Sequence, residues 1–264
     1  MKILSICTSA GLWDKVMIER GHTVVAGCEL MRHKRAMYNA YCHNGKYILG
    51  AHMTDDLSKL PALVAGKHFD AVIGGPPCQS LSTLKAMVNP KFPDLTPAVA
   101  ALMEVVRETN PQALFLFENV RPLPLNGLVS TKSNAMHYPE ELRSNLVHQS
   151  RVRYFTHSEN VHGPAKAVEG TVDSLMAYPV VAGRIYGPKR GAILQGHPEF
   201  AKLDFPCKYL QEALADGVPR GLATAWAEQL EQAHARAKCH KYTEQDGCMQ
   251  FICTCVPSTS GGVL

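Results

Sequence analysis

A short segment, Gly74-Gly75-Pro76-Pro77-Cys78-Gln79-Ser80, directly follows the apolar run Phe69 to Ile73. Paired glycines and paired prolines impose a defined turn at the end of a strand, and a cysteine there stands on rigid backbone beside a cleft. Such a cysteine serves either as a nucleophile or as a small buried hydrophobe after a tight turn. Glu118-Asn119-Val120 follows a second apolar run, Ala113 to Phe117. That places a carboxylate at the same sheet edge as Cys78; the alternative is a residue that merely caps a strand. A third string, Gln149-Ser150-Arg151-Val152-Arg153, carries two arginines at i and i+2. On a strand they share one face, where they hold a phosphate or a carbonyl oxygen, or face water.

The elements that position these groups are expected to alternate. Ile3 to Cys7, Thr23 to Cys28, Tyr47 to Met53, Phe69 to Ile73 and Ala113 to Phe117 read as five strands. Helix-compatible segments lie between them: Leu12 to Glu19, Arg32 to Cys42, Leu57 to Val64 and Pro97 to Glu108. This alternation predicts an α/β fold with a mostly parallel sheet and helices on both faces. Such sheets bind ligands beyond the carboxyl ends of their strands, where Thr8 to Gly11, Glu29 and Gly74 to Gln79 all fall. Residues 121–145, with Pro122, Pro124, Asn126 and Gly127, read as loops, and Arg151 to Thr156 as a further strand. Residues 160–190 read as a small irregular subdomain. Gly221 to Ala237 reads as a final helix behind Pro219, and the pattern stops after about His240. The expected division is a catalytic and cofactor-binding core over 1–156, a short segment over 157–188, a return to the core over 189–238, and a Cys-rich mobile tail over 239–264.

The length, 264 residues, suits one large core. A formal net charge of +4 tolerates nucleic acid without requiring it. No signal peptide or apolar run of membrane-spanning length is visible, and the nine cysteines read as free thiols of a cytoplasmic protein. Cys239, His240, Cys248, Cys253 and Cys255 fit none of the usual zinc spacings, so no metal is expected.

Taken in order, the Pro-Pro-Cys-Gln turn, the Glu-Asn-Val triplet and the Gln-x-Arg-x-Arg string resemble the DNA (cytosine-5) methyltransferase family, from near the N-terminus to about residue 233. The resemblance implies a Rossmann-like S-adenosylmethionine-dependent fold and methylation of cytosine C5. It makes Cys78 the nucleophile toward C6 and Glu118 the contact to N3 and the exocyclic amine. Arg153 then orients the base near O2, with Arg151 in an orienting or phosphate role. Pro77, Gln79, Ser80, Asn119, Val120, Gln149, Lys189 and Arg190 become substrate contacts. Cys7, Thr8, Ser9, Ala10, Gly11 and Leu12 align with the loop around the cofactor's methionine part. Glu29 with Leu30 aligns with the ribose site, and Asp56 or Asp55, with Leu57, with the adenine contact. Gly75, Pro76, Asp216 and Val218 complete the implied cofactor pocket.

Two departures from the family stand out. Ser9 and Ala10 replace glycines of the cofactor loop, which is expected to narrow or reshape it, and Ala215-Asp216-Gly217 replaces Gly-Asn before the Val-Pro pair. The region that reads DNA sequence is reduced to residues 154–188, with few basic side chains: Lys166 and Arg184, then Lys189 and Arg190 at its flank. The substrate is therefore cytosine in DNA, read through a short motif or with a specificity partner, or a free cytosine nucleotide such as dCMP. An inactive binding or regulatory relative is the non-enzyme alternative.

Overall fold

The computed structural model describes residues 1–43, 53–54, 56–77, 94–138, 140–142, 145–147, 151–166, 187–239, 242–245 and 248–251. The first half alternates as expected: β1 Lys2–Ile6, α1 Leu12–Glu19, β2 Thr23–Cys28, α2 Arg32–His43, β3 Met53–Thr54, a 3-10 turn Leu57–Lys59 running into α3 Leu60–Val64, β4 Ala71–Gly74, α4 Thr96–Thr109 and β5 Leu114–Asn119. The second half contributes β6 Val129–Asn134, the hairpin β7 Glu140–Leu142 and β8 Asn145–Val147, and β9 Val152–His157. It continues with α5 Pro188–Leu194, α6 Cys207–Asp216, α7 Arg220–Cys239, and the hairpin β10 Tyr242–Gln245 and β11 Cys248–Phe251.

The main sheet runs β3-β2-β1-β4-β5-β9-β6. Its first five strands are parallel, whereas β9 and β6 are antiparallel to their neighbours. Parallel strands covered on both faces need apolar side chains in both directions, which is why their sequences are near-continuous apolar runs. Ile3, Ile73, Leu114 and Leu116 face α1 and α7, where they meet Trp13, Val16, Trp226 and Leu230. Leu4, Ile6, Val72, Phe115 and Phe117 face α3 and α4, meeting Leu60, Val64, Leu102 and Val106. Trp226 stacks on Phe155 at 4.4 Å and donates from its indole N–H to Ser133 Oγ at 3.2 Å. A third cluster joins Leu12 to Tyr38 and Tyr41 of α2 and to Phe200, Leu210 and Leu214 around α6.

Four expectations from sequence change. The strand at Tyr47 to Met53 is met only by the two-residue β3; 44–52 lie outside the described residues. Within 121–145, read as loops, Val129–Asn134 forms the edge strand β6, whose Ser, Thr and Lys side chains face water on one side while its backbone pairs with β9. Helices α5 and α6 had no counterpart in the sequence reading. The tail does not end its pattern at His240, since β10 and β11 pair antiparallel beyond it. Among the described residues, no helix is long and apolar enough to cross a membrane, and no group of three or more His, Cys, Asp or Glu could hold a metal.

Candidate active site

The carboxyl ends of β1, β2, β4 and β5 lie side by side, and their loops form one edge. Gly74 pairs with Ile6, and a Cβ there would stand 2.1 Å from the Ile6 carbonyl oxygen, so only glycine lets β4 close on β1 before the chain turns. The turn continues through Gly75, Pro76 and Pro77. Cys78, Gln79, Ser80, Asp55 and Gln149 lie outside the described residues.

The turn is fastened to β5. Asn119 donates from Nδ2 to the Pro76 carbonyl at 2.9 Å, in buried surroundings, and accepts from the Val120 N–H at 2.7 Å. Both candidate substrate contacts therefore brace the chain leading to Cys78. Glu118 points to the other side of the strand and lies against the same turn; its Oε2 is 3.4 Å from where a Cβ of Gly75 would be. It is 7% exposed. Burial raises its carboxyl pKa above the ordinary value, while Arg153 and Arg151 pull it back down. Arg153 Nε stands 2.6 Å from Glu118 Oε1. Alternation along β9 places Phe155, Arg153 and Arg151 on one face, so the core ring of Phe155 and the active-site arginines share a row.

Arg151, expected in an orienting or phosphate role, bonds to backbone carbonyls in this structure. It is buried and donates to the carbonyls of Ala215 at 2.7 Å and Leu214 at 3.4 Å. It thus serves the carbonyls at the end of α6 that have no partner within the helix, and it acts on Glu118 through its field. Lys189 and Arg190 are exposed on the first turn of α5.

The cofactor half is built around Glu29. Its two oxygens accept from Ser9 N–H and Met31 N–H, each at 2.8 Å, so the carboxylate stitches the β1 loop to the end of β2. The loop keeps a left-handed backbone without its glycines: Cys7 has φ 51°, Ser9 φ 50° and Gly11 φ 78°. A Cβ at Gly11 would fall 2.5 Å from Cys42 Sγ and 2.6 Å from Tyr38 Cδ2, which explains why this glycine remains. Cys7 and Ser9 thus hold a backbone conformation that glycine adopts more readily. Ser9 Oγ is buried with no hydrogen-bond partner among the described residues, and an orphaned hydroxyl in such a cradle fits a polar ligand. Burial, then Cys28 and Glu29, push the Cys7 thiol up, so it stays protonated. Beside Glu29, Leu30 and Met31 are 61% and 43% exposed, an apolar ledge suited to a flat ring.

Several implied cofactor contacts also have a place in the packing of the fold. Leu57 is buried in the core below α3, and Val218 in the core beside Trp226. Asp56 caps the 3-10 turn, accepting from Ser58 N–H at 2.9 Å and Ser58 Oγ at 2.6 Å, which lowers its pKa. Ala10 is likewise buried. Val218 also anchors His197, which is fully buried and held to a pKa of about 4 by desolvation. The neutral ring donates from Nε2 to the Val218 carbonyl at 3.3 Å and accepts at Nδ1 from the Tyr41 hydroxyl at 3.0 Å. The sequence reading missed Lys34 on α2, which forms a direct ion pair with Asp216 at the end of α6. The basic run Arg32-His33-Lys34-Arg35 just after Glu29 was the available signal.

A family model described as C-5 cytosine-specific DNA methylase matches residues 1–138. Similar solved structures include a DNA modification methyltransferase encoded within an E. coli prophage, with 13% identity, TM-score 0.59, and coverage of 88% of this chain and 99% of the other. The S. pombe Dnmt2 methyltransferase gives 12% identity, TM-score 0.54, and coverage of 88% and 98%. The Entamoeba histolytica methyltransferase EhMeth gives 11% identity, TM-score 0.59, and coverage of 88% and 98%. At these identities the structural likeness establishes the fold, a Rossmann-like methyltransferase sheet. No curated protein sequence matches the chain.

Proposed function

Because the chain belongs to the C-5 cytosine-specific DNA methylase family, we propose that it methylates C5 of cytosine in DNA, with S-adenosylmethionine as methyl donor and Cys78 as covalent nucleophile. The observation that carries this reading is the buried Glu118–Arg153 pair at 2.6 Å, lying against the turn that Asn119 fastens at Pro76.

Cytosine C5 is a poor nucleophile until C6 is saturated. The Cys78 thiolate adds to C6 and forms the S–C6 bond, displacing ring electrons toward N3 and C5. Glu118 holds a proton at N3 and so absorbs the negative charge. Burial, which favours the protonated form of its carboxyl, works in the direction of that task. Arg153 pulls the carboxyl pKa back down and orients the base at O2. Bound S-adenosylmethionine supplies the electrophilic methyl group. Loss of the C5 proton then expels the Cys78 sulfur and restores the ring. Glu29 holds the ribose hydroxyls, Leu30 the adenine face, and the left-handed loop Cys7 to Gly11 offers backbone and Ser9 Oγ to the rest. In duplex DNA the target base must leave the stack to reach this edge. Exposed Lys189 and Arg190 supply phosphate contacts.

The test is methyl transfer from labelled S-adenosylmethionine to duplex DNA, single-stranded DNA and free dCMP, with Cys78→Ala beside the wild type. Label in DNA that disappears in the variant is the expected result. Label in dCMP alone would replace DNA by a nucleotide as the substrate, consistent with the short segment 154–188. No label from a folded protein in any arm would overturn the enzyme reading.

A further inference from the structure

Helices cover the main sheet unevenly. On the face that carries Phe115 and Phe117, the apolar cluster under α3 and α4 takes residues from β1, β2, β4 and β5 but none from β9 or β6. At the outer end of this face Asn119 pairs with Tyr154, and Tyr154 with Lys132, so the three side chains form one row across β5, β9 and β6. The row begins at the active site, because Asn119 fastens the Pro76 carbonyl of the turn leading to Cys78. Val152, on the same face of β9, is 38% exposed. The chain leaving Asn119 crosses this face as well: Leu123 N–H donates to Thr156 Oγ1 at 3.0 Å, and Arg121 just before it is exposed. Tyr154 is half-buried and Lys132 exposed. Among the described residues, the side chains of Arg121, Lys132 and Tyr154 have no ion-pair, hydrogen-bond or ring partner.

An aromatic ring with two cations near it, on a sheet face without a helix that runs into the active-site turn, suits an unpaired base and its phosphates. We propose that the protein takes its cytosine from single-stranded DNA, and that the nucleotide next to the target lies on this face, with its base stacked on Tyr154 and its flanking phosphates at Lys132 and Arg121. Stacking on a side chain requires an unpaired base, since in a duplex both faces of each base are covered by its neighbours. A single strand also presents its target without extrusion from a helix. It needs fewer phosphate clamps than a duplex, in keeping with a segment 157–188 whose only lysine and arginine are Lys166 and Arg184. The inference rests on the proposed methylation of cytosine in DNA and narrows its substrate.

The competing reading makes Lys132 a charge that guards the edge strand β6 against unwanted pairing, and Tyr154 an ordinary cross-strand neighbour. Fluorescence anisotropy separates the two, with a short labelled cytosine-containing oligonucleotide offered as single-stranded DNA, as duplex DNA and as single-stranded RNA of the same sequence. The wild type is expected to bind the DNA single strand at least about tenfold tighter than the duplex at equal salt. Tyr154→Ala should weaken single-strand binding by about tenfold, the scale of one stacked base, and shift the duplex by less than about twofold; Tyr154→Phe should keep the wild-type affinity. Lys132→Met and Arg121→Met should each lower the salt slope of single-strand binding by about 0.7, the value of one phosphate contact. Both positions are exposed, so these two variants report on the face even where Tyr154→Ala fails to fold. Equal wild-type affinity for single strand and duplex, equal losses in both from Tyr154→Ala, or unchanged salt slopes would overturn the inference. Tighter binding of the RNA strand would overturn DNA as the occupant. Methyl transfer keeps this failure apart from failure of the proposed reaction. Label entering duplex DNA as fast as single-stranded DNA would overturn the inference and leave the methyltransferase standing. Single-strand binding that depends on Tyr154, without label in any substrate, would support the face and remove the reaction.

Discussion

Replacing Asp14 by asparagine tests how the protein tolerates a carboxylate beneath its cofactor loop. Asp14 lies in the first turn of α1, almost fully buried, and accepts from Ser5 Oγ of β1 at 2.8 Å. Burial raises its pKa from 3.8 to about 6, against the pull of the Ser5 and Tyr38 hydroxyls. The folded state thus holds the proton more tightly than the unfolded chain. As pH rises from near 4 to near 6 the unfolded state releases it first, so Asp14 costs stability over that window. The cost is absent in acid and complete above about pH 6. About two pKa units at 1.36 kcal/mol each put the full penalty near 3 kcal/mol. Asparagine keeps the acceptor for Ser5 and does not titrate. Burying its amide N–H groups carries a cost of its own, but that cost is the same at every pH. The slope, not the offset, is therefore diagnostic. The stability of Asp14→Asn relative to wild type, from urea unfolding, should rise by about 2 kcal/mol between about pH 4.5 and about pH 7.5. A flat difference, or one falling with pH, would refute the assignment of a raised pKa to this buried carboxyl.

Ser9→Gly relieves a left-handed φ and removes an orphaned hydroxyl, so the ligand-free protein should gain about 1 kcal/mol in denaturant unfolding. Ser9→Ala keeps the backbone strain and should gain less; the reverse order would show that the strain is not at this residue. Arg153→Gln removes a cation that lowers the Glu118 pKa. The Glu118 carboxyl, followed by carbon-13 NMR titration, should then titrate at higher pH than in wild type, and a downward or absent shift would break the proposed coupling.

How much of this was legible depended on where the partners of each residue lie. Strands β1, β2, β4 and β5 announce themselves because both faces are buried, and runs such as Leu114–Asn119 carry apolar side chains in either direction. Strand β6 does not, because Val-Ser-Thr-Lys-Ser-Asn is an edge with one wet face, and its composition is that of a loop. The place of Glu118 and Asn119, at a strand end beside the Gly75–Pro76 turn, was readable because the apolar run before them marks the strand. Arg151 was not: the groups it binds are carbonyls of Leu214 and Ala215, which no side-chain pattern advertises. Lys34 was hidden for a similar reason, its partner Asp216 being set opposite only by the packing of α6 on α2. Leu57 and Val218, aligned with cofactor contacts, are at the same time core residues; an apolar residue beside a site is as readily part of the core.

Along the sheet edge the charges alternate: Glu29, Lys34, Asp216, Arg151, Glu118, Arg153. Each carboxylate has a cation acting on it, so none of the three is left uncompensated when a ligand closes over the edge. Such an edge favours guests that are neutral or zwitterionic over guests with a fixed negative charge. A cytosine ring, the group proposed above as substrate, meets that condition; a phosphate does not. Recognition of a nucleic-acid backbone, or of the phosphate of a free nucleotide, must then come from outside this row, and Lys189 and Arg190 are exposed on the first turn of α5. Neutralising them should weaken substrate binding and its salt dependence while leaving the donor's affinity unchanged, which separates the two halves of the site by their electrostatics alone.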